Sequence, residues 1–116
     1  MNNNLKISEI INSDTAVSTS DGNIVYNSIE TFLKDEKTVF IDFEGIKYLT
    51  TAFLNAALGQ LYSNKYSSEF LNEHLKIRNV TKANASMFHM VVKRAKEYFD
   101  DKEGFKDSAE SAIYGD

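Results

Sequence analysis

Residues 38–61, TVFIDFEGIKYLTTAFLNAALGQL, decide how this chain folds. The β-rich apolar run Thr38–Phe43 is followed by a Glu44-Gly45 turn, the hydroxyl pair Thr50 and Thr51, and an amphipathic segment. That order reads as strand, loop and helix, with the threonine pair at the helix entrance. From Ala52 to Lys65, the side chains of Phe53, Leu54, Ala57, Leu58 and Leu61 share one helical face, which is expected to pack on a sheet.

The pattern continues on both sides of this block. Upstream, Leu5 and Ile7 alternate with Lys6 and Ser8 and run into Ile10 and Ile11, predicting a first strand or extended entry segment. Asp14–Gly22 is rich in Ser, Thr and Asp and reads as a loop. Val25, Ile29, Phe32 and Leu33 then recur at i, i+4, i+7 and i+8, which predicts a helix ending near Lys34–Lys37. Downstream, Ser67 and Ser68 interrupt the helical pattern. Leu75, Ile77 and Asn79 alternate with Lys76 and Arg78, predicting a strand within His74–Val80. From Asn84 or Ser86 onward, Phe88, Val91, Val92, Ala95, Tyr98 and Phe99 recur at helical spacing.

Strands alternating with helices over crossover-length connections imply parallel pairing, so the expected class is α/β, a small sandwich of a mainly parallel β-sheet with helices packed on it. At 116 residues the chain is expected to form one domain with one core. The domain is read as residues 1–99. Residues 100–116 form an acidic tail, with a final short helix through Ala109, Ala112, Ile113 and Tyr114 or no fixed structure as the two alternatives.

Charge and composition narrow the function classes. Of 17 acids, six lie in 100–116 against two of the 13 bases, so the body is neutral and the tail carries the net charge of −4. A neutral body lacks the positive field that phosphate backbones require, which argues against a nucleic-acid partner. Without cysteine, neither disulfides nor thiolate chemistry is available, which suits a reducing cytoplasm. No apolar run is long enough for a membrane span, and MNNNLKISEI lacks the features of an export signal. His74 and His89 fall on different expected elements with no ligand spacing. Asp42 and Glu44 could suggest paired carboxylates, but at a strand end their ordinary use is turn hydrogen bonding. No nucleotide-binding glycine loop or nucleophile elbow is present, and no cofactor or metal is expected.

Residues 39–61 resemble the corresponding block of bacterial STAS-like domains and, more distantly, of the anti-sigma factor antagonists of the STAS superfamily. Asp42-Phe43-Glu44-Gly45 matches the turn that ends the family's apolar strand. Thr51 falls on the position of the phosphorylated serine of the antagonists, and Phe53-Leu54-Asn55 with Gly59 resembles the STAS-like subfamily. Two positions depart from the antagonists, which carry Asp and Gly where this chain has Thr50 and Phe53. STAS-like relatives often place an acid where this chain has Ala56. The resemblance implies a regulatory domain whose partner is a histidine-kinase-like ATPase or another signalling protein, with Thr51 a phosphorylation switch.

The residues themselves leave several uses open for that helix entrance. The first N–H groups of a helix lack partners and favour negative charge, so a phosphate on Thr51 or Thr50 would be accommodated there. Either threonine can instead cap the helix. Within 52–65, Ala52, Ala56, Gly59 and Ser63 recur at i, i+4, i+7 and i+11 opposite the core stripe, flanked by Asn55 and Gln60. This predicts a smooth, uncharged outward face for a protein partner or a second copy of the domain. The leading expectation is therefore a non-enzymatic interaction module docking through Thr51, Ala52, Asn55, Ala56, Gly59, Gln60 and Ser63. The alternative is a small-molecule binder or enzyme using the strand-end loops 42–51 and 79–84.

Overall fold

The computed structural model describes residues 3–62 and 66–108. Its elements are β1 (Asn4–Lys6), α1 (Ile7–Ile10), β2 (Thr15–Ala16), α2 (Thr19–Leu33), β3 (Val39–Asp42), β4 (Tyr48–Leu49), α3 (Thr51–Ala57), α4 (Ser68–His74), β5 (Leu75–Arg78) and α5 (Lys82–Ser108). A 3-10 turn, Gly59–Tyr62, follows α3. The main sheet has the order β1-β3-β5, and β2 pairs with β4 in a separate ribbon. All three strand pairings are parallel, as the alternation of strands and helices led us to expect.

The register explains the core. Leu5, Ile41 and Ile77 lie side by side across the main sheet, as do Asn4, Phe40 and Lys76. Because successive strand residues point to opposite faces, Val39 and Ile41 are fully buried on one side, while Phe40 faces the other beneath the Arg78 guanidinium, 4.1 Å from its ring. The inward side joins Val25, Ile29 and Leu33 of α2, Phe53, Leu54 and Ala57 of α3, Leu71 of α4 and Val91 of α5 in one cluster. Phe88 of α5 meets Phe43 edge-on with ring centroids 5.9 Å apart.

Local chemistry sets several boundaries differently from the periodicity. The first strand stops at Lys6, since a single turn at Ile7–Ile10 buries Ile7 completely and lays Ile10 and Ile11 against the core. Helix α2 starts at Thr19, ahead of Asp21-Gly22, because the Ser18 hydroxyl accepts a hydrogen bond from the Asp21 N–H at 3.1 Å. The segment read as one loop, 14–22, contributes β2 and the start of α2.

The helix expected over 52–65 is α-helical only to Ala57. There Gln60 Nε2 donates to the Ala56 carbonyl at 2.7 Å, satisfying one of the acceptors that a helix end leaves open as the chain tightens into the 3-10 turn. Ser67 caps the unanticipated α4 by accepting from the Phe70 N–H at 3.1 Å. Helix α5 begins at Lys82 and continues to Ser108, past Phe99, where the helical periodicity had run out. The short helix expected through Ala109, Ala112, Ile113 and Tyr114 lies outside the described residues. No helix among those described is long and apolar enough to cross a membrane.

Candidate functional site

The entrance to α3 is built by the β2–β4 ribbon. Thr15 pairs with Tyr48 and Ala16 with Leu49, and the Thr50 N–H continues the ladder to the Ala16 carbonyl at 3.2 Å. Alternation sends Ala16 and Leu49 inward, where both are buried, and leaves Val17 and Tyr48 outward at 37% and 63% exposure. Thr50 locks this arrangement. Its hydroxyl donates to the Val17 carbonyl at 2.7 Å and accepts from the Phe53 N–H at 3.3 Å, so of the two threonines Thr50 is the cap. Thr51 is the first helical residue and is exposed, as are Ala52 and Asn55 on the same short helix.

The outward face of small residues needs correction. Ala56 is only 5% exposed and Gly59 is buried, so both belong to the interior rather than to a free surface. Ala56 meets Gly22 of α2, where an added Cβ would stand 2.6 Å from the Cβ of Ala56 and 2.6 Å from the Phe53 carbonyl. The two helices approach so closely because neither carries a large side chain at that point. Gln60 is exposed but engaged, donating to Asn23 Oδ1 of α2 at 3.0 Å as well as to Ala56. Ser63 lies outside the described residues. Little in the sequence signals this, because Gly22 closes the segment read as a loop, and only the structure places it inside α2.

At the C-terminal end of β3, Asp42 is 8% exposed and performs turn chemistry. Its Oδ1 accepts from Asn79 Nδ2 at 2.7 Å and from the Glu44 N–H at 2.9 Å, tying the β5 exit to the turn after β3. The Asn79 bond is the main reason its carboxyl is held below the usual aspartate range. Burial opposes this, and the Glu44 N–H reinforces it. Gly45 adopts a φ of +88°, which the turn requires. Glu44 points away to Lys6 at 3.8 Å, so the two carboxylates do not converge. The loops 42–51 and 79–84 close on each other around Phe43, Ile46, Leu49 and Val80, leaving a cavity of about 10 Å3, far below the volume of a metabolite.

The histidines stay apart. His74 stacks on Phe70 at 4.2 Å at the end of α4, whereas His89 is exposed on α5. Among the described residues no group of three His, Asp or Glu side chains could hold a metal ion.

No curated protein and no solved structure matches the chain. A family model does, over residues 21–85, a span that runs from the first turns of α2 through β3, α3 and β5 to the start of α5. The chain therefore belongs to the family described as STAS-like domain of unknown function, DUF4325.

Proposed function

We propose that this domain is a non-enzymatic regulatory module that docks a protein partner along the β2–β4 ribbon and the entrance of α3. The observation that carries the reading is the exposure of Val17 and Tyr48 beside Thr51, Ala52 and Asn55, an uncharged strip held in place by the Thr50 hydroxyl. Tyrosines of this kind, apolar in body and polar at the tip, are frequent anchors of protein interfaces. The strip replaces the face of Ala56 and Gly59 as the docking surface.

The likeness to anti-sigma factor antagonists, together with membership of a STAS-like family, supports a signalling protein such as a histidine-kinase-like ATPase as the partner. A second copy of the domain is the competing occupant. Thr51 serves as the switch in this reading. A phosphate on its exposed hydroxyl would add about −2 charge to an uncharged strip and expel an apolar or acidic partner.

The test is affinity purification of the full chain from its native host, with quantitative comparison of the wild type, Tyr48→Arg, Thr51→Glu and Thr51→Ala. A partner retained by the wild type and by Thr51→Ala, but lost from Tyr48→Arg and Thr51→Glu, is the expected outcome. Equal recovery by all four variants defeats docking at this strip. Equal recovery by the two Thr51 variants alone removes the switch. Mass measurement of the purified protein separates a homodimer from a heteromeric complex.

A further inference from the structure

Away from that strip, a cleft of about 180 Å3 opens between α5, the edge strand β5 and the 3-10 turn. Leu58, Leu71, Ile77 and Val92 supply its apolar walls, with Tyr62 and Asn72 among its polar groups. The cleft is partly open to solvent, with the exposed residues Asn72 and His89 on its rim and apolar side chains in its walls. An apolar cavity of about 150 Å3 accommodates a guest the size of benzene. The available volume therefore suits a single ring or a branched aliphatic body with one small polar group.

The polar end of such a guest is set by α5. Phe88, Val92 and Lys96 follow one another at i, i+4 and i+8 on one stripe of the helix. Phe88 and Val92 line the cleft, and the Lys96 ammonium lies 5.8 Å from the centre of the Tyr62 ring. Lys96 is outside the cleft wall, and its ammonium stands beside the ring of Tyr62, which is part of that wall. Among the described residues, the Glu97 carboxylate lies 3.7 Å from Lys93 and that of Glu73 lies 4.0 Å from His74 Nε2. The Tyr62 phenol is protonated at neutral pH, as an ordinary tyrosine is, and burial shifts it further in the same direction, so its hydroxyl is a donor for an anion.

We propose that this cleft binds a small carboxylic acid with an aromatic or branched aliphatic body, its carboxylate held by Lys96 and the Tyr62 hydroxyl. The site is separate from the docking strip and does not depend on it. A ligand there would brace α5 against β5.

Benzoate is a suitable probe, with benzyl alcohol as its neutral counterpart and acetate as an anion without the ring. The full chain is titrated with each at constant ionic strength and followed by two-dimensional amide NMR. Benzoate is expected to give saturable shifts at Leu58, Leu71 and Ile77, benzyl alcohol to bind at least about threefold more weakly, and acetate to cause none of these shifts. Val92→Phe, which fills the space, should abolish the benzoate shifts. Lys96→Gln, a change near the surface, should weaken benzoate while leaving benzyl alcohol unchanged, and it keeps the test decisive if Val92→Phe does not fold. The absence of saturable benzoate shifts up to ~20 mM, well above the ~1 mM dissociation constant within reach of so small a ligand, overturns the proposal. So does equal affinity for benzoate and benzyl alcohol, or benzoate binding that Lys96→Gln leaves untouched.

Discussion

Where α2 meets α3, Gly22 has no room for a single methyl group, its missing Cβ lying within 2.6 Å of two atoms of α3. Between α5 and β5 the same domain leaves about 180 Å3 open. The contrast teaches where substitutions report on folding and where they report on binding. The α2–α3 seam is a lock, closed by Gly22 and Ala56 and spanned by the Asn23–Gln60 hydrogen bond. The α5 side can accept added volume. A variant such as Ala56→Arg, which the sequence pattern recommends as a probe of docking, would instead force a long charged side chain into a sealed interior.

The largest effect is therefore expected at the lock. Gly22→Ala should destabilise the fold by about 3 kcal/mol through overpacking against backbone that cannot yield, seen as a lower midpoint in urea unfolding. A near-neutral result would mean that the seam is looser than its geometry.

Next in size is the clasp at Asp42. Asp42→Ala strands Asn79 Nδ2 and the Glu44 N–H and should cost about 2 kcal/mol. The same clasp predicts a pH dependence. The folded state holds this carboxyl below its ordinary value of 3.8, so its contribution is complete above that value and is lost as pH falls through the lower, folded pKa. Acid unfolding of Asp42→Asn should accordingly show a shallower loss of stability below pH 3.8 than the wild type. Identical acid limbs would show that the carboxylate contributes nothing.

A smaller effect is expected at the helix entrance. Thr50→Ala removes both the cap and the bond to Val17 and should cost about 1 kcal/mol, whereas Thr51→Ala should leave the unfolding midpoint unchanged. Equal losses at both positions would contradict the division of roles between the two threonines. Smallest of all, and opposite in sign to Gly22→Ala, is Val92→Phe. Filling the cleft should change stability by less than about 1 kcal/mol and raise the melting temperature slightly, which calorimetry can read.

Much of the architecture was legible because hydrophobic periodicity is written locally. The Val39–Asp42 strand, the helix carrying Val25 and Ile29, and the parallel alternation of elements all follow from spacing in one dimension. The threonine pair at the entrance of α3 was legible as a cap for the same reason, since capping involves residues three apart. Short features were less visible. β2 and β4 are two residues each, and they exist because the chain lies beside itself there, not because Thr15-Ala16 or Tyr48-Leu49 prefers to be extended. The turn at Ile7–Ile10 shows the converse, in which burial of Ile7 overrides a β-prone sequence.

The candidate site divides along the same line. The chain's local pattern was enough for the strand–turn–helix block, its family and a hydroxyl pair at the helix entrance, because each depends on neighbours within a few positions. Only the tertiary structure decided that Ala56 and Gly59 face inward, that Thr50 rather than Thr51 is tied to Val17, and that open volume lies under α5 instead of between the strand-end loops. A helical stripe of small residues has the same spacing whether it meets solvent or another helix. The difference is made by Gly22, 34 positions away in the chain and in contact in space.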